Sequence, residues 1–190
     1  MSCRDAHRIG VSRRRSRYAT SEDFRKLFTE GVSSLYLLSF LLTANPEKAD
    51  RCFVAGLADC VDGNPVFKEW ASSWARSIIV HNAIWMIAPH LGPGRSSASA
   101  SHSTNKDNFP KTPLQDVPFA SVLALEDFER FVFVLSVLER YTNQNCAALL
   151  GARIQDIREA RIRALHHMAE FERRTAAPTI GFSSETEVRN

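Results

Sequence analysis

One short segment, Asn143 to Arg163, constrains the fold of this chain more than any other. Its small, glycine and apolar positions have the spacing of a helix-turn-helix. Ala147 is small, as a close crossing of two helices requires, and Gly151 follows four residues later, where the chain must turn with a positive φ. Ile154 and Ile157 then restart an apolar helical face three residues apart. The segment therefore predicts two helices joined by a tight turn.

The second of these predicted helices carries long polar side chains between its apolar positions. Side chains of these types can reach base edges and phosphates in a DNA major groove. They are Arg153, Gln155, Asp156, Arg158, Glu159 and Arg163. An ordinary helical hairpin with a charged outer face would carry similar residues, and a lone Ala-x-x-x-Gly would favour that interpretation. Because the whole pattern is present, it favours a DNA-reading module.

The rest of the chain predicts an all-α protein built from two small helical domains joined by a flexible linker. Its 190 residues suffice for one ordinary domain or two small ones. Residues 91–118 are rich in Gly, Ser and Pro and are long for a loop within a compact domain, so we interpret them as the linker. The domains are then residues 20–90 and 119–175, with the helix-turn-helix in the second. Residues 1–19 are expected to be a disordered basic arm and residues 176–190 a frayed tail.

Turn and cap signals divide the first domain into helices. Thr20 or Ser21, followed by acidic residues, predicts a helix start, and apolar residues recur at helical spacing from Phe24 to Leu42. Asn45-Pro46 ends that pattern and begins a second helix. The turn at residues 62–65 precedes a third helix, which is expected to end near residues 86–89.

The positive charge of the chain is concentrated in two places. The net charge of +3 is too small to identify a nucleic-acid partner by itself. Arginine clusters suit phosphate contact, although acidic residues dilute the second cluster. The clusters are Arg4, Arg8, Arg13, Arg14, Arg15 and Arg17, and then Arg130, Arg140, Arg153, Arg158, Arg161, Arg163, Arg173 and Arg174.

Neither the cysteines nor the histidines indicate a metal, a cofactor or catalysis. The four cysteines form no C-x-x-C pair, and all but Cys3 are expected to be small buried residues in a reducing compartment. His166 and His167 are adjacent, so they point about 100° apart on a helix. No phosphate loop or nucleophile motif is present. The apolar run from Leu35 to Leu42 is too short to span a bilayer, so we expect a cytoplasmic protein without a membrane partner.

The C-terminal part of the chain resembles region 4 of bacterial RNA polymerase sigma factors. The resemblance covers the step Leu135-x-x-Leu138-Glu139, then Leu149-Leu150-Gly151, and the helix with Ile157-Arg158 and Arg163-Ala164. The N-terminal part is similar to region 2 of the extracytoplasmic-function group, through a third helix that reads Phe67-x-x-Trp70-x-x-x-Trp74-Ala75-Arg76. Together they extend over residues 20–90 and 119–170.

This resemblance implies an initiation factor that binds promoter DNA and core RNA polymerase, with an anti-sigma protein as a plausible further partner. The six polar residues named above would face the upstream promoter element. The third helix would help to melt the downstream element, because aromatic rings stack on unpaired bases. Its residues are Trp70, Trp74, Arg76, Ser77 and Asn82. The two tryptophans could equally fill the core of a small helical domain. Asp50 falls where the family binds the polymerase.

Two alternatives stay open at this point. The chain could be a stand-alone helix-turn-helix regulator that binds a palindromic site as a dimer. It could also be a divergent paralogue kept as a protein-interaction module, since Arg51, Cys52 and Gly56 depart from the family's pattern in the second helix.

Overall fold

A computed structural model of the chain describes residues 17–87 and 119–176. Helices contain 82% of these residues, and the described ranges contain one isolated β-bridge but no strand. The expected all-α class is therefore confirmed. The predicted linker, the C-terminal tail, most of the basic arm and Cys3 lie outside the described residues.

Eight α-helices are described, four on each side of residues 88–118. They are α1 (Ser21–Glu30), α2 (Val32–Thr43), α3 (Pro46–Asp62), α4 (Ala71–Ile87), α5 (Ala120–Leu123), α6 (Asp127–Phe133), α7 (Asn143–Leu150) and α8 (Ile154–Ala176). A 3-10 turn, Lys68–Trp70, leads into α4, and a π-helical turn, Val134–Leu138, follows α6.

The helix starts follow the cap signals of the sequence. The Thr20 hydroxyl accepts a hydrogen bond from the Asp23 amide while the Asp23 carboxylate accepts one from the Thr20 amide, which is a capping box. Asn45 caps α3, and Pro46 occupies its first turn. The apolar pattern from Phe24 to Leu42, by contrast, runs through two helices, because the chain leaves the first helix at Gly31. Both helices bury their apolar residues in the same core, so the pattern continues across the break.

The apolar cores of the two helical groups are continuous with each other. Phe28, Leu42 and Ile79 are fully buried in the first group, and Phe131 and Ile157 in the second. Helix α2 of the first group contacts α6 of the second, and the buried residues of both groups form one cluster. The described halves of the chain therefore pack directly against each other.

Two arginines make polar contacts between the halves. Arg130, only 3% exposed, donates to the carbonyl oxygens of Leu42 (3.3 Å) and Leu125 (2.9 Å), and it also pairs with Asp127. The prediction that the second arginine cluster suits phosphate contact is therefore wrong for Arg130, because a buried guanidinium bound to carbonyls is not available to DNA. Arg76 of α4 forms a two-point ion pair with Glu139, with Nε to Oε2 at 2.8 Å.

The three described cysteines are buried and free, as the sequence predicted. Burial raises the pKa of the Cys52 thiol to about 11 and that of the Cys60 thiol to about 11, and it also raises the pKa of Cys146. These thiols are therefore protonated at neutral pH. Among the described residues, no group of His, Cys, Asp and Glu is arranged to hold a metal, and no helix is long and apolar enough to cross a membrane.

Candidate nucleic-acid interface

Helices α7 and α8 are joined by the turn that the sequence predicted at Gly151. Thr142 caps α7 by accepting a hydrogen bond from the Asn145 amide at 3.1 Å. Gly151 ends α7 in the left-handed conformation, with φ of 61°, and its amide donates to the Ala147 carbonyl. The expected positive φ is therefore confirmed, and it lets α8 begin three residues later.

The inner face of α8 consists of small and apolar side chains. Ile157, Ala160 and Ala164 are fully buried, and α8 packs against α5, α6 and α7. Ile154, expected on the same inner face, is 39% exposed at the first position of the helix. The buried positions are spaced three and four apart, which leaves the opposite face of α8 open along its first three turns.

The open face of α8 carries Gln155, Arg158 and Glu159, which are all exposed. The Gln155 amide donates to the Glu159 carboxylate at 3.0 Å. Arg158 lies beside this pair and forms no ion pair with any residue that the structure describes. Of the predicted DNA-facing residues, it is the cation most available to a phosphate or a base edge.

Arg153 and Asp156 bind each other at the start of α8. Two guanidinium nitrogens of Arg153 lie 2.8 and 2.9 Å from the two carboxylate oxygens of Asp156, and the Arg153 amide also donates to this carboxylate at 3.3 Å. The hydrogen bonds from Arg153 lower the pKa of Asp156. Asp156 is thus nearly buried and holds the helix start, whereas the Arg153 side chain is 83% exposed.

Arg163 links α8 to α6. Its Nε donates to Oε1 of Glu129 at 2.6 Å, and the Glu129 side chain is only 15% exposed. The Arg163 side chain remains 55% exposed, so part of its guanidinium still faces solvent. The six predicted residues therefore lie just before α8 or within its first three turns. Gln155, Arg158 and Glu159 face solvent, whereas ion pairs within the fold hold Arg153, Asp156 and Arg163.

The two predicted aromatic residues, Trp70 in the 3-10 turn before α4 and Trp74 on α4, differ in exposure. Trp70 is 59% exposed, and its ring meets the ring of Phe67 edge-to-face at 5.3 Å. Trp74 is half-buried and packs on the core. The core-filling interpretation therefore fits Trp74, while the Trp70 indole is open to a partner.

The predicted polar residues of α4 are largely engaged within the fold. Arg76 is bound to Glu139, as described above. The Asn82 amide donates to the Asp59 carboxylate at 2.8 Å and to the Ile78 carbonyl at 3.1 Å. Ser77 is half-buried. These three side chains lie on α4 with Trp74, whereas the mainly exposed Trp70 lies in the 3-10 turn before this helix.

Asp50 lies on the exposed side of α3, next to Tyr36 of α2. Burial raises the pKa of Tyr36, and a hydrogen bond to Asp50 raises it further. Val54, one turn beyond Asp50, is 64% exposed. The predicted polymerase-binding position is thus open to solvent beside an exposed apolar side chain.

Sequence reasoning passed over three exposed apolar residues. Trp85 is 80% exposed near the end of α4, and Ile162 and Leu165 of α8 are 66% and 46% exposed. Helical spacing does not indicate the exposure of Trp85, because this residue follows Trp74 by eleven positions and so projects from nearly the same side of α4 as that half-buried ring.

Comparison of the sequence with models of known protein families and with curated proteins found no match.

Proposed function

We propose that this chain is a sigma-like transcription initiation protein that acts in the cytoplasm without chemistry of its own. The proposal is supported above all by the arrangement of α7, the left-handed Gly151 and α8, whose open face presents Arg158 beside Gln155 and Glu159. The sequence resemblance to regions 2 and 4 supports the same function. In this proposal α7 and α8 form a helix-turn-helix, and residues 88–118 contain a flexible linker between two domains.

The first turns of α8 would read the upstream promoter element from the major groove. In helix-turn-helix proteins the N-terminal residues of the second helix contact base edges. Arg158 has the donors for guanine or a phosphate, and Gln155 has the amide that pairs with adenine. Arg153 and Asp156 would keep the helix start rigid, so that these two side chains enter the groove in one orientation.

Trp70 would stack on an unpaired base of the downstream element, since its exposed indole offers a flat apolar surface. Arg76 would join this site only after leaving Glu139. Core RNA polymerase would bind the exposed face of α3 around Asp50 and Val54. An anti-sigma protein could act by keeping the two halves together.

A binding and transcription assay tests this proposal. Purified chain is mixed with bacterial core RNA polymerase, and transcription is measured from a genomic promoter pool. We expect a stable complex and new start sites that share two spaced motifs. Arg158→Glu should keep the complex but lose those start sites, because the altered residue meets DNA rather than polymerase. Arg25→Glu, at an exposed position of α1 with the same change of charge, is the matched control and should leave them intact.

Failure to bind core polymerase would reject the sigma-like function. Specific binding of a palindromic site by the chain alone would then identify a stand-alone regulator.

A protein-interaction module is the second candidate, favoured by the exposed Ile162 and Leu165 on α8. In that case Arg158→Glu would change nothing, because the apolar side chains and not the arginine would carry the contact. Retained partner binding by Arg158→Glu together with loss in Ile162→Ser would decide for this candidate.

A further inference from the structure

One side of α8 carries exposed apolar side chains. Ile154 is 39% exposed, Ile162 is 66% exposed and Leu165 is 46% exposed. At about 100° of rotation per residue, all three project within an arc of about 80°. Helices α5, α6 and α7 pack on a different side of α8, whose buried residues project about 100–140° away from Leu165. The apolar side therefore stays accessible, and grouped apolar side chains of this kind mark interaction sites.

The same side of α8 carries a positive charge before Leu165 and a negative charge after it. Arg158 lies seven positions before Leu165 and Glu172 seven positions after it, and both are exposed. Seven residues make nearly two turns, so each charged residue projects within about 20° of the direction of Leu165 and lies about 10 Å from it along the helix axis. Leu165 is also the midpoint of the 23 residues of α8. Together with Ile162, these residues form a symmetric surface that we call the Leu165 face.

The symmetry makes the Leu165 face complementary to itself in an antiparallel pair. In a two-fold symmetric pair, each contact between two residues occurs twice, with the copies exchanged. If two α8 helices cross at Leu165, Arg158 of each copy lies opposite Glu172 of the other, and two ion pairs form. Ile162 of each copy then lies opposite Met168 of the other, which is half-buried. A parallel pair would instead place Arg158 beside Arg158, which is unfavourable.

We propose that two copies of this chain pair through the Leu165 face, with their α8 helices antiparallel, and that this pairing keeps α8 out of DNA. The second half of the proposal rests on the proposed function. The DNA major groove is about 12 Å wide and admits one helix. A second helix packed about 8–10 Å away therefore excludes α8 from the groove, while its Glu172 engages Arg158. The interface contains one helix from each copy, so we expect a weak and reversible dimer.

Sedimentation equilibrium of the full chain, without DNA, tests the pairing. We expect a monomer–dimer equilibrium for the unaltered chain. Arg158→Glu should raise the dimer dissociation constant roughly tenfold or more, because two attractive contacts become repulsive. The matched control is Arg174→Glu, which makes the same change of charge at an exposed position on the opposite side of α8. It should leave the dissociation constant unchanged.

A charge exchange separates direct pairing from a general loss of structure. Glu172→Arg should also weaken the dimer, and combining it with Arg158→Glu should restore pairing, because opposite charges then face each other again. Within one chain the two residues lie about 21 Å apart along α8, beyond the range over which exposed charges interact at physiological salt. The rescue can therefore come only from contact between copies. Far-ultraviolet circular dichroism should be the same for all of these chains.

The competition between pairing and DNA is tested with a variant that keeps both Arg158 and the net charge. Leu165→Ser removes the apolar contact at the centre of the pair and should be monomeric, whereas Leu165→Met should pair like the unaltered chain. At chain concentrations above the dimer dissociation constant, Leu165→Ser should bind a labelled random-sequence duplex severalfold more tightly than the unaltered chain. Fluorescence anisotropy measures this difference.

Three results would overturn the inference. They are an unaltered chain that stays monomeric at every soluble concentration, a charge-exchange variant that stays monomeric, and a dimer that binds the duplex as tightly as Leu165→Ser does. The first two leave the proposed function intact, because sedimentation involves neither DNA nor polymerase. If the unaltered chain pairs but Leu165→Ser binds neither promoter DNA nor core polymerase, the proposed function and the effect on DNA are rejected, and the pairing alone is upheld.

Discussion

Residue types at helical spacing predict the outward faces of α4 and α8 in the same way. The two faces differ, however, in which side chains remain available to a binding partner. On α8, Arg158 is exposed and unpaired among the described residues, and its polar neighbours face solvent with it. On α4, Arg76 and Asn82 are bound to carboxylates of other elements. The difference teaches that spacing predicts the direction of a side chain, whereas the neighbouring elements decide whether it is available.

The largest effects are expected from the two tryptophans of the α4 region. Trp70→Ala should weaken single-stranded DNA binding by about 1–3 kcal/mol, or roughly 5- to 150-fold, because one stacked base is lost. Its thermal stability should change little, since the indole is mostly exposed. Trp74→Ala should instead lower the free energy of unfolding by about 2 kcal/mol, as a half-buried ring leaves the core. Oligonucleotide titration and urea unfolding measure the two effects. If both variants lose stability and neither loses affinity, Trp70 has no role in binding.

Glu139→Gln addresses the availability of Arg76 directly. The Glu139 side chain is 9% exposed, and the substitution removes its charge while it keeps its shape. We expect a loss of about 1–2 kcal/mol in the free energy of unfolding, less than for a fully buried pair because Arg76 is one-third exposed. The released Arg76 should raise the affinity for single-stranded DNA. Glu47→Gln, which removes the same charge at an exposed position of α3, is the control that should not raise it. A drop in affinity for Glu139→Gln would contradict this interpretation of α4.

Local features of the fold could be predicted from the sequence, because local chemistry decides them. The caps at Thr20 and Asn45 and the turn at Gly151 depend on residues within four positions of each other. The burial of Ile157 and Ala160 follows from helical spacing. These are the features on which the sequence and the structure agree.

The polar contacts between distant elements could not be predicted. Arg130 looks like any surface arginine in a helical pattern, and nothing near it in the sequence indicates the Leu42 carbonyl that it binds. The pairing of Arg76 with Glu139 joins residues 63 positions apart. Such partners depend on how the helices pack, so the availability of each candidate side chain required the structure.

Gly151→Ala should have a smaller effect on the free energy of unfolding, and it tests whether the left-handed backbone at this turn favours glycine. An added Cβ would meet no atom within 4 Å, so the penalty comes only from the backbone at φ of 61°. We expect about 1 kcal/mol less stability for Ala, because left-handed residues with a Cβ are strained. Gly151→Asn should lose less, since Asn tolerates this conformation. Equal losses for Ala and Asn would show that backbone strain is not the cause.

The smallest effect is expected at Asp23, which joins the cap of α1 to Lys68. Hydrogen bonds from the Thr20 amide, and then Lys68, lower the pKa of Asp23 from 3.8 to about 2. A lowered folded pKa gives stability that is present above the unfolded value and is lost as the pH falls from about 3.8 to about 2. Because the side chain is 37% exposed, solvent screening limits this to less than about 1 kcal/mol. Urea unfolding at pH 5 and pH 2.5 should show this loss for the unaltered chain and a smaller one for Asp23→Asn. Equal losses of stability in the two chains would show that Asp23 is not the source of this pH dependence.

The buried Arg130 has a consequence for the order in which the protein is made. The Leu42 carbonyl, near the end of α2, accepts a hydrogen bond from Arg130, which is synthesised 88 residues later. At roughly 5–20 residues per second, about 4–18 s pass between the synthesis of Leu42 and that of Arg130. During this interval the apolar surface that later meets α6 is open to chaperones and to neighbouring chains, so the yield of folded protein should depend on the rate of translation through residues 88–130.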